Sequence, residues 1–115
     1  SVTGDLNLKT SMAKKEGYTN PEELFAAGLS ACFNGALSFP LQRDGLGDRQ
    51  RQVRAEVVLL GDLPDTNSLY LAAKLIVSIE GLSPEETLRY VQETENICPY
   101  TKAVKGNIEV ELVAE

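Results

Sequence analysis

Apolar and polar residues change their spacing several times along the chain, and each change marks an element. Residues 6–9 alternate (Leu6-Asn7-Leu8-Lys9), the two-residue period of a half-buried strand. Residues 11–19 are polar, contain Lys14, Lys15 and Gly17, and read as a loop. A helix start follows. Asn20 suits the N-cap, Pro21 fills the first helical position, where its missing N–H costs nothing, and Glu23 stands three residues after the cap. The chain is then apolar on nearly every side through Leu24-Phe25-Ala26-Ala27-Gly28-Leu29-Ser30-Ala31-Cys32-Phe33, which predicts a buried helix running to about Phe39, with Pro40 as its stop. Gly28 and Gly35 each cost about 1 kcal/mol against alanine in a helix. With the neighbouring alanines and Ser30 they permit close approach by another element.

Residues 42–52 are polar and lead into a strand over 53–60, alternating at first and then continuously apolar (Val57-Val58-Leu59-Leu60). Asp62-Leu63-Pro64-Asp65 is a turn cluster, and residues 69–79, rich in Leu, Ile, Val and Tyr, complete a predicted β-hairpin. Ser83-Pro84-Glu85-Glu86 repeats the helix-start formula, with Leu88, Val91 and Ile97 on the apolar stripe. That helix must close near Cys98, because Pro99 disfavours the helical conformation of the residue before it. Residues 100–106 form a short turn or helical piece, and 108–113 alternate as a last strand. The order β-α-β-β-α-β predicts an α+β fold, as one domain over 1–115 with no internal repeat or linker.

At 115 residues and 43% hydrophobic content the chain supports a real but modest core, which a dimer would enlarge. A net charge of -6 argues against a nucleic-acid surface, which shows as a basic patch. No apolar run approaches the roughly 20 residues that span a bilayer. No secretory signal pattern is present, so a cytoplasmic location is expected.

Candidate chemistry narrows sharply at this point. The chain has no histidine and 2 cysteines. Ser-His and Cys-His hydrolases are thereby removed, and two thiolates alone do not complete a four-ligand zinc site, so no metal is expected. Cys32 sits mid-helix in apolar surroundings, where an inert buried cysteine is the bland reading. Cys98 sits at a helix end before a proline, where exposure is expected. A structural disulfide is an open alternative. The pair also suits peroxide chemistry, in which a thiolate becomes a sulfenic acid and a second thiol captures it before over-oxidation. An apolar setting raises a thiol's pKa, so a nucleophilic Cys32 would need a cation nearby.

Two blocks carry a resemblance. Asn20-Pro21-Glu22-Glu23-Leu24-Phe25-Ala26-Ala27-Gly28-Leu29-Ser30-Ala31-Cys32-Phe33, with Gly35-Ala36-Leu37 after it, resembles the first-cysteine helix of the OsmC/Ohr family. Cys98-Pro99-Tyr100-Thr101-Lys102-Ala103, with Gly106-Asn107-Ile108, is similar to that family's second-cysteine motif. The wording of both blocks is closer to the Ohr branch, the organic hydroperoxide resistance proteins.

The resemblance implies an OsmC-like fold of antiparallel strands with two main helices, assembled as an intertwined homodimer. It implies Cys32 as peroxidatic nucleophile, Cys98 as resolving thiol, and Glu22 as the carboxylate that orients a catalytic arginine. Phe25, Leu29 and Phe33 would line an apolar substrate pocket. The implied activity is reduction of alkyl and fatty-acid hydroperoxides without metal, flavin or haem, with re-reduction by a dithiol such as a lipoylated carrier protein. The family's arginine would fall before Ser1, and no arginine occurs before Arg43, so the chain is expected to lack its N-terminal segment. Glu22 and Cys32 are ten positions apart on one helix, about 15 Å at ~1.5 Å per residue. A shared site would therefore need the two residues to come from different subunits. Rival readings are an OsmC-branch peroxidase with another peroxide preference, and a non-catalytic relative that senses oxidation or binds an apolar ligand.

Overall fold

A computed structural model describes residues 9–12 and 14–115. The strand expected at 6–9 lies almost wholly outside the described residues. Helix α1 spans Pro21–Arg43. It is opened by the Glu23 N–H donating to Asn20 Oδ1 at 2.8 Å, while Asn20 Nδ2 returns a bond to Glu23 Oε1 at 3.0 Å. Strands β1 (Arg51–Leu60) and β2 (Tyr70–Ile79) form the expected antiparallel hairpin. Helix α2 (Pro84–Glu95) starts on a complete capping box, with Ser83 Oγ accepting from the Glu86 N–H and Glu86 Oε1 accepting from the Ser83 N–H, both at 3.1 Å. A short α3 (Pro99–Val104) and strand β3 (Glu109–Ala114) follow.

The sheet order is β1-β2-β3. Strand β3 runs parallel to β2, so the sheet is mixed rather than antiparallel throughout. A parallel neighbour needs a crossover, and α2 with α3 supplies it. The register puts Val53 opposite Val77, Ala55 opposite Leu75 and Val57 opposite Ala73, and β3 adds Leu112 beside Leu75. These side chains share one face, and both long helices pack there, α1 chiefly on β1 and α2 on β3 and β2.

On α1 the buried seam is a ladder of four, Leu29, Phe33, Leu37 and Leu41, each fully buried at i, i+4 spacing. Two expectations need correcting here. The helix does not stop at Pro40; it runs through it to Arg43, with Pro40 inside. Proline removes one i→i−4 bond, but only the last turn lies beyond it, and the ring is fully buried in the core. The helix is also long and apolar enough, by length and composition, to cross a bilayer, against the expectation that no segment is. Many of its apolar positions are alanine and glycine, and the seam above is the core of the sheet–helix sandwich. The other side, with Ala27, Ala31, Asn34 and Phe39, is exposed in the single chain.

On α2 the buried positions are Thr87, Val91 and Thr94; Leu88 is only half-buried, and Ile97, also half-buried, lies beyond the end of the helix. Val91 holds the expected stripe, while the buried Thr87 and Thr94 complete it where Leu88 and Ile97 were expected.

Candidate functional site

Cys32 lies on the flank of α1, between the fully buried Leu29 and Phe33, and keeps partial exposure. Cys98 is fully buried at the junction of α2 and α3. The expected ranking of exposure is thus reversed. The α2–α3 corner is folded inward and held by its own hydrogen bonds. The Cys98 N–H donates to the Thr94 carbonyl at 2.9 Å, and the Cys98 carbonyl accepts from the Lys102 N–H at 3.1 Å and the Thr101 hydroxyl at 3.0 Å. Pro99 at the first position of α3 fixes where the new helix begins.

This corner delivers the Cys98 Sγ to within 3.3 Å of the Cys32 Sγ, although 66 positions separate them in sequence. Both are free thiols. Bond formation requires closing that gap to the ~2.05 Å of a disulfide. The Cys32 thiol is pushed above its ordinary pKa, first by burial. The main-chain N–H of Tyr100 hydrogen-bonds to it and acts in the opposite direction, while the neighbouring Cys98 adds to the rise. No cation among the described residues enters that balance.

The other expected site residues are placed as follows. Glu22 is in the first turn of α1, half-buried, with no hydrogen bond or ion pair among the described residues. The unbroken helix keeps it about ten residues' rise, ~15 Å, from Cys32 of the same chain. Its carboxylate is favoured there by the helix macrodipole. Leu29 and Phe33 are core residues with no exposed surface, so they can back a pocket but not touch what enters it. Phe25, half-buried against the core cluster, has surface to offer. Tyr100, which stood in the second motif but had no role assigned to it, sits beside both α1 and the thiols and is 47% exposed. Among the described residues no three or more Cys, Asp and Glu side chains gather to hold a metal ion.

Two free thiols, one partly exposed and one buried, set between a long core helix and a helical corner, mark an α+β protein with a paired-cysteine site. The family model described as OsmC-like protein matches residues 13–113, and the chain belongs to that family. Its matched relatives carry names from the organic hydroperoxide resistance branch. One, organic hydroperoxide resistance protein-like 2 of Staphylococcus epidermidis, is 44% identical over 94 residues, covering 82% of this chain. The chain spans 66% of that relative's length. Among solved structures, the organic hydroperoxide resistance protein OhrB of Bacillus subtilis superposes with a TM-score of 0.77 at 32% identity, covering 88% of this chain and 73% of that one. An organic hydroperoxide resistance protein from Elizabethkingia anophelis gives 0.75 at 34% identity, covering 86% and 69%.

Proposed function

We propose that the chain is the dithiol-bearing part of a peroxidase that reduces organic hydroperoxides. The observation that carries this reading is the 3.3 Å approach of a partly exposed Cys32 to a buried Cys98. The exposed thiol is the one a substrate can reach, and the buried one waits behind it.

Three steps follow from that arrangement. The Cys32 thiolate attacks the terminal oxygen of the hydroperoxide. The O–O bond breaks, the alkoxide leaves and takes a proton as the alcohol, and Cys32 becomes a sulfenic acid. The Cys98 sulfur then attacks the Cys32 sulfur, forming the disulfide, while the sulfenic oxygen departs with the Cys98 proton as water. An external dithiol, such as a lipoyl group on a carrier protein, reduces the disulfide by thiol–disulfide exchange and is itself oxidised.

A raised thiol pKa opposes the first step, and a cation offsets it. The arginine that the family resemblance implies, oriented by Glu22 of a second subunit, would hold the thiolate through its planar fork. A homodimer also accounts for the exposed apolar side of α1, and Phe25 would offer the substrate an apolar wall. A cytoplasmic setting suits a dithiol that must be re-reduced.

Steady-state turnover of cumene hydroperoxide and of hydrogen peroxide, with dihydrolipoamide as reductant, tests the proposal. Faster, Cys32-dependent reduction of the organic peroxide is expected, and Cys32→Ser should abolish it. Equal rates for the parent and Cys32→Ser would overturn it.

A further inference from the structure

Glycine at position 28 is unexplained by the chemistry above. It stands inside a long helix, where alanine is the better former by helix propensity. Its backbone is ordinary and helical, so conformational freedom does not account for it. Its surroundings do. A Cβ built on Gly28 would lie 2.9 Å from Tyr100 Cε2, inside any normal contact, and 3.5 and 3.6 Å from Tyr100 Oη and Cζ. Gly35, the other glycine of α1, has nothing within 4 Å of such an atom. The Tyr100 ring therefore rests in the notch that the missing side chain leaves.

Gly28 is one turn before Cys32, so the two share a face of α1. Tyr100 consequently meets that face at two points, its ring at Gly28 and its main-chain N–H at the Cys32 sulfur. The ring is half-exposed and would swing freely without the notch. The stretch before it is already restrained, with Pro99 fixed in φ and the Cys98 carbonyl tied to Lys102 and Thr101. Seating the ring restrains the far side of the same peptide.

We propose that Gly28 is a positioning residue for the thiol pair: by seating the Tyr100 ring against α1 it holds the Tyr100 N–H on the Cys32 sulfur. The inference rests on the peroxidase reading for its purpose, since a thiolate nucleophile gains from a donor aimed at it. Among the described residues this N–H is the one group that favours the charged form of Cys32.

Alkylation by iodoacetamide as a function of pH tests the seat without any peroxide, so it can fail while the peroxidase reading stands, and the reverse. In a Cys98→Ser background Cys32 is the sole thiol. There, Gly28→Ala should move the alkylation profile to higher pH and slow the reaction near neutrality by about tenfold, the scale of one hydrogen bond to a charged acceptor. Tyr100→Phe keeps the ring and should leave the profile in place. Tyr100→Ala should reproduce the Gly28→Ala shift, and adding Gly28→Ala to it should bring no further change, because nothing then occupies the notch. Thermal melts of all four variants separate loss of fold from loss of seating. An unshifted Gly28→Ala profile would overturn the proposal, and so would an equal further shift on adding Gly28→Ala to Tyr100→Ala.

Discussion

Three threonines lie buried on α2 and α3, and they differ in what their hydroxyls do. Thr94 donates to the Tyr90 carbonyl at 2.7 Å, and Thr101 donates to the Glu95 and Cys98 carbonyls. Thr101 thereby pins the residue that carries the inner thiol. Thr87, also fully buried, leaves Oγ1 without a partner among the described residues. An unpaired buried hydroxyl costs about 1–3 kcal/mol. Thr87→Val keeps the shape and removes that penalty, so it should raise the denaturant midpoint with no change in slope; a lowered midpoint would show that the hydroxyl is satisfied in solution. At the thiols, Cys98→Ser should let the Cys32 sulfenic acid persist and advance to sulfinic acid under excess peroxide, read by intact mass. Were Cys32 to remain reducible through repeated peroxide additions in that variant, Cys98 would not be the resolving thiol. The two cysteines stood out in the sequence because histidine is absent. Their closeness did not, since a 3.3 Å contact across 66 positions depends on the α2–α3 corner and not on any local pattern. Glu22 was legible only by resemblance, because in one chain it is a carboxylate at a helix start.

Helix starts were the most legible elements. Asn20-Pro21 and Ser83-Pro84 each announce a cap, and both caps form. Helix ends were less so, since Pro40 reads as a stop but sits inside a final turn that the core holds in place. The direction of β3 was not legible, because alternation specifies which face a strand buries and not which way it pairs. At the end of α1 the chain also fastens the helix to its neighbour. Arg43 bonds Asp44 at 2.9 Å and also pairs with Glu93 of α2, while the Tyr90 hydroxyl donates to Asp44 at 2.7 Å. The Arg43 guanidinium first, and the Tyr90 hydroxyl second, hold the Asp44 carboxyl at about 2, below its ordinary 3.8. A depressed carboxyl stabilises the fold above its unfolded value and loses that contribution as pH falls. The clasp should therefore weaken between pH 3.8 and about 2. Both partners are substantially exposed, so the effect is small and salt-sensitive. Melting temperature should fall more steeply over that window for the parent than for Asp44→Asn, and parallel slopes would remove Asp44 from the acid response.

Over the whole molecule several large apolar side chains stand in water. Phe39 is 66% exposed on α1, and at the far end of the hairpin Leu63, Tyr70 and Val58 are 70%, 59% and 50% exposed. The chain is also extended, 50 × 29 × 28 Å, with a radius of gyration of 15.8 Å against the ~13 Å of a compact chain of this length. A hairpin with an apolar end and a core helix with one bare side are complementary requirements, and a second copy would meet both. The same pairing is what would bring one subunit's Glu22 toward the other's Cys32, which the length of α1 forbids within a chain. Assembly and catalysis should then fail together. Phe39→Glu places a charge on the bare side of α1, two helical turns from Cys32, and a charge buried in an interface without a partner costs several kcal/mol. Sedimentation should show a dimeric parent and a monomeric Phe39→Glu protein, with the variant's peroxidase rate lost while its Cys32 still alkylates. A monomeric variant with full peroxidase turnover would place the whole site within one subunit. A parent that is itself monomeric at the concentrations of the assay would leave the exposed face of α1 to some other occupant.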